Sequence, residues 1–367
     1  RMGREVSALT SNQVSRRNIR LLILLSAAVY FSSYLTRLNY SAVLVEMIAS
    51  EHYTRSAASA ALTGLFITYG AGQLLSGYLG DRTKPQLLIF AGLLVSAAMN
   101  LLIPLCPGTG LMTAVWCVNG LAQAMMWPPL VRILSELLSE ADYKTATVRV
   151  SWGSSLATIL IYLAAPLFIQ WGGWRLIFFV CAVFALVMAF VWIFCFRKLE
   201  SKMRANRLVP VAHSAVNGKG TGIPSTLWGV LALIMLAIVM QGLLRDGITT
   251  WMPSYISETF DLGSGISILT SVALPLFSLV TFQLTEFLHL LRNELSCACA
   301  IFAVGTIALL ALKFAGDAFV AAVACMTLAV GCMHGVNLLL ICMVPPFFRS
   351  TGKTSLISGL LNSCTYI

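Results

Sequence analysis

The sequence predicts an all-α membrane protein built as two pseudo-symmetric six-helix bundles, the second of them incomplete. Three observations carry that prediction. Hydrophobic residues make up 58% of the 367 residues and charged residues only 10%, where an ordinary soluble domain carries about 25% charge; the mean hydropathy is +0.86. Ten apolar runs reach the roughly 20 residues a bilayer span requires, and an eleventh begins near Lys353. The longest connector, Arg197–Thr226, separates six spans from a partial second set, the layout of two bundles related by an internal repeat. Too few polar side chains remain to cover a water-facing surface, so a soluble enzyme, a disordered chain and a nucleic-acid binder are excluded.

The runs lie near Leu21–Ile48, Ser56–Gly80, Leu87–Leu105, Leu111–Leu138, Thr145–Gln170, Trp174–Phe196, Leu227–Ile256, Ile266–Leu290, Leu295–Leu312 and Phe319–Val344. They are read as helices because an isolated strand cannot satisfy its backbone in lipid. They also lack the ten-residue apolar/polar alternation of outer-membrane barrels. Pro128 and Pro129 should kink the fourth span, since proline lacks the N–H that the helix ladder needs. The eleventh run stops at Ile367 and the chain starts with Arg, so the sequence is expected to be a piece of a longer protein.

Charge placement sets the expected orientation. Arg16, Arg17 and Arg20 precede the first span without the pattern of a signal peptide, which argues for a cytoplasmic start. Threaded from there, only Arg55, Arg175 and Lys313 fall outside and only Arg37 and Arg245 fall mid-span; the remaining Lys and Arg lie on or near the inner side. Orientation thus accounts for the net charge of +10. The expected domains are a cytoplasmic N-terminus (1–20), an N-terminal bundle (21–197), a basic cytoplasmic linker (198–226) and a C-terminal bundle (227–367). The ten cysteines lie almost entirely within apolar runs and show no Cys-x-x-Cys or Cys/His ligand spacing, so they read as small core residues. No metal or cofactor is expected.

The candidate site follows from intramembrane charge. An arginine at mid-membrane costs about 2.5–3.5 kcal/mol on insertion scales and cannot shed its proton. Arg37 stands 17 residues after Arg20, and Arg245 stands 17 residues after Trp228. Each half therefore carries an arginine at similar depth in its first helix. Two such groups repel when empty, and a phosphate dianion relieves the repulsion while accepting bidentate hydrogen bonds. Tyr30, Tyr34 and Arg37 are spaced i, i+4, i+7 and share a helical face, which Ser41 continues. Asp246 is a candidate for proton coupling, about 100° around the helix from Arg245. His334 and Asn337, at i and i+3, share a face of the tenth span. No catalytic constellation and no Gly-rich nucleotide loop occurs, so the protein is not expected to be an enzyme.

Gly77-Tyr-Leu-Gly-Asp81-Arg82-Thr-Lys84, between spans two and three, resembles the loop signature of the major facilitator superfamily. The glycine permits close helix approach. Asp81 is suited to cap a helix N-terminus and Arg82 to bind helix C-terminal carbonyls. The sequence is further identified with the organophosphate:phosphate antiporter family by three segments: Tyr34-Leu-Thr-Arg37-Leu-Asn39, Gln123-Ala-Met-Met-Trp127-Pro128-Pro129-Leu-Val-Arg132, and Leu244-Arg245-Asp246-Gly247-Ile-Thr-Thr-Trp251-Met-Pro253-Ser-Tyr255. The resemblance implies that Tyr30, Tyr34, Tyr69 and Trp127 line the substrate cavity. It also exposes two departures. Gln73 stands where phosphate transporters of that family often carry Lys, and Leu156 where some carry His.

The resulting expectation is an inner-membrane secondary transporter working by alternating access. It would exchange a small organic anion, a phosphorylated metabolite, for inorganic phosphate, and act as a monomer in the bilayer with no nucleic-acid partner. The alternatives are a proton-coupled carboxylate symporter, favoured by the lost Lys and His positions, and a transporter-like membrane sensor of sugar phosphates.

Overall fold

The computed structural model describes residues 2–205, 225–261, 273–291, 294–316 and 318–366. The elements are α1 (Met2–Glu51), α2 (Arg55–Arg82), α3 (Pro85–Leu102), α4 (Thr109–Ala124), α5 (Trp127–Leu137), α6 (Glu140–Gly172), α7 (Trp174–Ala205), α8 (Ser225–Phe260), α9 (Ala273–Leu291), α10 (Glu294–Leu312), α11 (Phe319–Asn337) and α12 (Thr354–Ser363), with short 3-10 and π segments between them. Among the described residues, six helical stretches are long and apolar enough to cross a membrane by length and composition. The chain divides into two units, 1–223 with 345–360, and 224–344 with 361–367. The greater part of the expected linker, 206–224, lies outside the described residues. α7 remains helical through Arg197, Lys198 and Lys202.

Local chemistry sets the helix ends. Thr54 caps α2 by accepting the Ala57 N–H at 3.3 Å, and Ser139 caps α6 by accepting the Asp142 N–H at 3.2 Å, each satisfying an otherwise orphaned donor. Glu140 and Asp142 add favourable charge to the first turn of α6, and Gly173 follows that helix at φ 71°, a conformation glycine tolerates. The run 111–138 is not one kinked helix but two. α4 stops at Ala124 and α5 restarts with Trp127, Pro128 and Pro129 in its first turn. Proline is accepted there because first-turn N–H groups have no intrahelical partner.

In the first unit, helices meet where a side chain is missing. A Cβ on Gly120 of α4 would lie 2.5 Å from the Leu65 carbonyl of α2, and one on Gly153 of α6 would lie 2.6 Å from the Ala27 carbonyl of α1. Lipid gives helices no hydrophobic drive to associate, so close backbone contact supplies the attraction. Tyr40, Trp116, Trp174 and Phe178 fill the core near the Glu51 end of α1. There Arg175 donates to Glu51 at 2.7 Å and Trp174 Nε1 donates to it at 3.2 Å, which holds the Glu51 carboxyl below the usual carboxylate range. Outward faces are apolar: Leu163, Leu167, Val183 and Phe194 are all exposed, a pattern suited to lipid contact.

The second unit is built on Met252, Ile256, Leu274, Met326 and Val330. Gly331 of α11 lies beneath Phe277 and Thr281 of α9. The run from α11 continues through a π-helical turn, Leu338–Cys342. The ten cysteines, all among the described residues, are thiols rather than disulfides.

Candidate functional site

The first unit gathers the residues that the sequence placed on one face of α1. Arg37 is 7% exposed. Its guanidinium lies 4.2 Å from the ring centroid of Tyr34 and 5.1 Å from that of Tyr69 on α2. Both are cation–π distances. Tyr30 packs against Tyr34 at 5.1 Å and against Trp127 at 5.0 Å between centroids. Arg37, Tyr30, Tyr34, Tyr69 and Trp127 therefore form one aromatic-lined cationic cluster. The Trp127 and Trp152 indole nitrogens are buried without a protein acceptor. Gln73, one turn beyond Tyr69, is fully buried, and neither of its amide atoms has a protein hydrogen-bond partner.

In the second unit, Arg245 and Asp246 form a two-point ion pair, Nε to Oδ1 at 2.7 Å and Nη2 to Oδ2 at 3.0 Å. Helical geometry alone sets their Cβ atoms about 100° apart, and the long arginine side chain curls back across that angle. Residue spacing alone does not reveal this partner of Asp246. His334 packs edge-on against Phe282, with centroids 5.8 Å apart, and lies within electrostatic reach of Arg245 and Asp246. Gln241, one turn before Arg245, is fully buried. With its amide oriented to satisfy both neighbours, it donates to the Met333 carbonyl at 2.9 Å and accepts from Asn337 Nδ2 at 3.2 Å. Sequence reasoning passed over Gln241; a polar amide one turn from an intramembrane arginine was the available signal. Asn337 directly precedes the π-helical turn, a distortion frequent at functional positions.

The loop motif forms a junction between α2 and the 345–360 segment, all within the first unit. Asp81 Oδ1 accepts the Ser355 N–H at 2.9 Å and Oδ2 accepts the Leu356 N–H at 2.8 Å, so it caps the start of α12. A Cβ on Gly77 would lie 2.7 Å from the Ser355 carbonyl and 3.0 Å from Leu356 Cα. The carbonyls ending α2 are taken by a residue other than the one expected. Arg132 donates to Gly80 and Thr83 and pairs with Glu136 at 2.7 Å. Arg82 instead lies over the Tyr78 ring at 3.8 Å.

Burial pushes the Asp81 carboxyl up to about 6, against the lowering effect of the Leu356 and Ser355 N–H groups. A carboxyl raised on folding contributes stability that is fully present below its unfolded value of 3.8 and is lost as pH rises through about 6. The melting temperature should therefore fall between pH 5 and pH 7.5 by the contribution of this group. Asp81→Asn should flatten that dependence, and melting curves of both proteins across the range check it.

The Major Facilitator Superfamily sequence profile matches residues 26–367. A probable hexose phosphate transport protein of Chlamydia muridarum is 26% identical over 164 residues, covering 45% of this chain and 36% of that protein. The membrane sensor protein UhpC of Salmonella typhimurium is 26% identical over 283 residues, covering 73% of this chain and 62% of that protein. The matched regions thus span from about a third to three-fifths of those relatives. The solved structure of the proton:xylose symporter XylE bound to 6-bromo-6-deoxy-D-glucose superposes with a TM-score of 0.70 at 15% identity, over 96% of this chain and 87% of that one. That likeness concerns the fold.

Proposed function

Because the chain belongs to the Major Facilitator Superfamily, we propose that it is a secondary active transporter of a small organic anion, a phosphorylated metabolite exchanged for inorganic phosphate. The observation carrying this reading is the Arg37 cluster. It is a buried guanidinium among aromatic rings, one helical turn from Tyr34 and stacked on Tyr69. A guanidinium offers planar, two-point hydrogen bonding to a phosphate, and the phenol hydroxyls and the Trp127 indole N–H suit ester and sugar oxygens. In the second unit, Arg245 is a further candidate cationic ligand, for whose guanidinium an anion would compete with Asp246. A relative named as a hexose phosphate transport protein supports the substrate class.

The protein would work as a monomer in the cell's inner membrane, with the Arg16–Arg20 end of α1 cytoplasmic. A site that carries the buried Arg37 charge when empty would favour return only when an anion neutralises it, which gives exchange rather than leak. Screening full-length protein in phosphate-loaded liposomes tests the substrate class. Hexose and glycerol phosphates should enter, while the parent sugars and simple carboxylates should not. Entry of carboxylates alone would replace the phosphate reading with that of a proton-coupled carboxylate symporter, in which Asp246 carries the proton.

Gln73 supplies a graded prediction. With no hydrogen bond to either amide atom, it stands where the resembled transporters often carry a lysine. Gln73→Lys should shift preference toward more highly charged phosphate esters in competition assays; an unchanged order would make it a packing residue. A second reading, a membrane sensor that binds sugar phosphate and turns over slowly, is favoured by the UhpC match, which covers more of this chain than the Chlamydia relative does. High-affinity binding without measurable flux in the same liposomes would select it.

A further inference from the structure

On a flank of α1 centred about 100° around the helix from Arg37, seven polar side chains lie in the apolar interior of the first unit. Ser33, Thr36 and Asn39 on α1 face Ser96 and Asn100 on α3 and Asn119 and Gln123 on α4. None is more than 3% exposed. Gln123 Nε2 donates to Thr36 Oγ1 at 2.9 Å and to Ser96 Oγ at 2.8 Å, and its Oε1 accepts from Ser33. Ser96 donates to Asn119 Oδ1 at 2.8 Å. Asn39 Nδ2 donates to Asn100 Oδ1 at 2.6 Å. Two amides converge on one backbone atom: the Thr36 carbonyl accepts from Asn100 Nδ2 at 3.0 Å and from Asn119 Nδ2 at 3.1 Å.

We infer that this amide network is a clamp that positions Arg37 for anion binding, with Asn100, Asn119 and Gln123 as its positioning residues. Clamp and ligand residues alternate along α1: Ser33 precedes Tyr34, and Thr36 precedes Arg37. Apolar packing would leave α1 free to rotate or slide by fractions of an ångström, because dispersion contacts have little direction. Hydrogen bonds fix both angle and height. The network is also uncharged. A buried carboxylate would hold α1 at least as firmly, but it would neutralise Arg37 and remove its attraction for an anion. Amides give rigidity without spending the charge. In the apolar interior every polar atom left without a partner is costly, which explains why the network uses Gln123 at both amide atoms and Asn100 at both of its own.

The effect on binding rests on the anion reading above; the existence of the clamp does not, and the test separates them. Purified full-length protein, as wild type, Asn100→Ala and Asn119→Ala, is measured in two ways. Amide hydrogen exchange follows the backbone of residues 36–41, and thermal stabilisation by inorganic phosphate gives a half-saturating concentration. Exchange over 36–41 should quicken by about tenfold or more while α6 is unchanged, and half-saturation should rise about tenfold, the order of one lost positioning hydrogen bond. Tyr40→Phe, which removes the 2.9 Å bond to the Ala58 carbonyl outside the network, should lower the melting temperature and leave half-saturation unchanged. If the asparagine variants do not fold, Ser96→Ala should show the same changes at about threefold. Unaltered exchange overturns the clamp. Faster exchange with unaltered half-saturation overturns the positioning role. If wild type gains no stability from phosphate, the anion reading fails while exchange still decides the clamp.

Discussion

Arg37→Lys and Arg245→Lys should each reduce uptake of the phosphorylated substrate by about two orders of magnitude, with the same amount of protein in the membrane. Lysine keeps the charge and loses the planar fork. At Arg37 it also loses the flat cation that stacks 4.2 Å from Tyr34 and 5.1 Å from Tyr69, so its ammonium would settle elsewhere among the rings. At Arg245 it cannot reproduce the two-point contact with Asp246. Initial uptake rates normalised to membrane protein measure the effect. Near wild-type rates in either variant would remove that arginine from the site.

Gly359→Ala should be nearly as damaging for a different reason. Its added Cβ would run into the Gln73 carbonyl oxygen and lie 3.1 Å from Gly77 Cα. Both obstacles are backbone and cannot rotate aside. α2 and the 355–359 turn would have to part, and Asp81 would lose its grip on the Ser355 and Leu356 N–H groups. Transport should fall at least tenfold, on the scale of a lost charged helix cap and close packing together. Gly305→Ala is the contrast. There the nearest atom is the Met333 methyl, at 2.7 Å, the tip of a flexible side chain, with Cys332 Cβ next at 3.0 Å, so transport should fall by only about twofold to threefold. Equal losses in the two variants would argue against a tight α2 seam.

Much of this arrangement was legible in the sequence because it depends on periodicity and local chemistry. The i, i+4, i+7 spacing placed Tyr30, Tyr34 and Arg37 together, and Pro128 and Pro129 marked the place where α4 gives way to α5. Asp81 was legible as a helix cap, although its partners lie 274 and 275 residues away. Other features depend on which helices become neighbours, and helical period reveals a face but not what faces it. Thr36 meets Asn119 across 83 residues, so the amide network reads in sequence only as scattered polar residues in apolar runs. Arg132 displaced Arg82 as the partner of the α2 carbonyls because α5 runs on alongside α2 beyond α4, Gly72 meeting Ala124 and Gly80 meeting Pro129, which brings Arg132 to the Gly80 carbonyl. The Arg245–Asp246 pair escaped because backbone angles describe Cβ directions, and a long side chain reaches past them.

The central claim, phosphate-coupled movement of an organic anion through an arginine site, is tested most directly by uptake into liposomes carrying the full-length protein, with and without internal phosphate. Neither arginine titrates in the physiological range, so the account predicts that uptake needs internal phosphate and continues unchanged when a protonophore collapses the proton gradient. Uphill accumulation in phosphate-free vesicles, abolished by the protonophore and by Asp246→Asn, would contradict it.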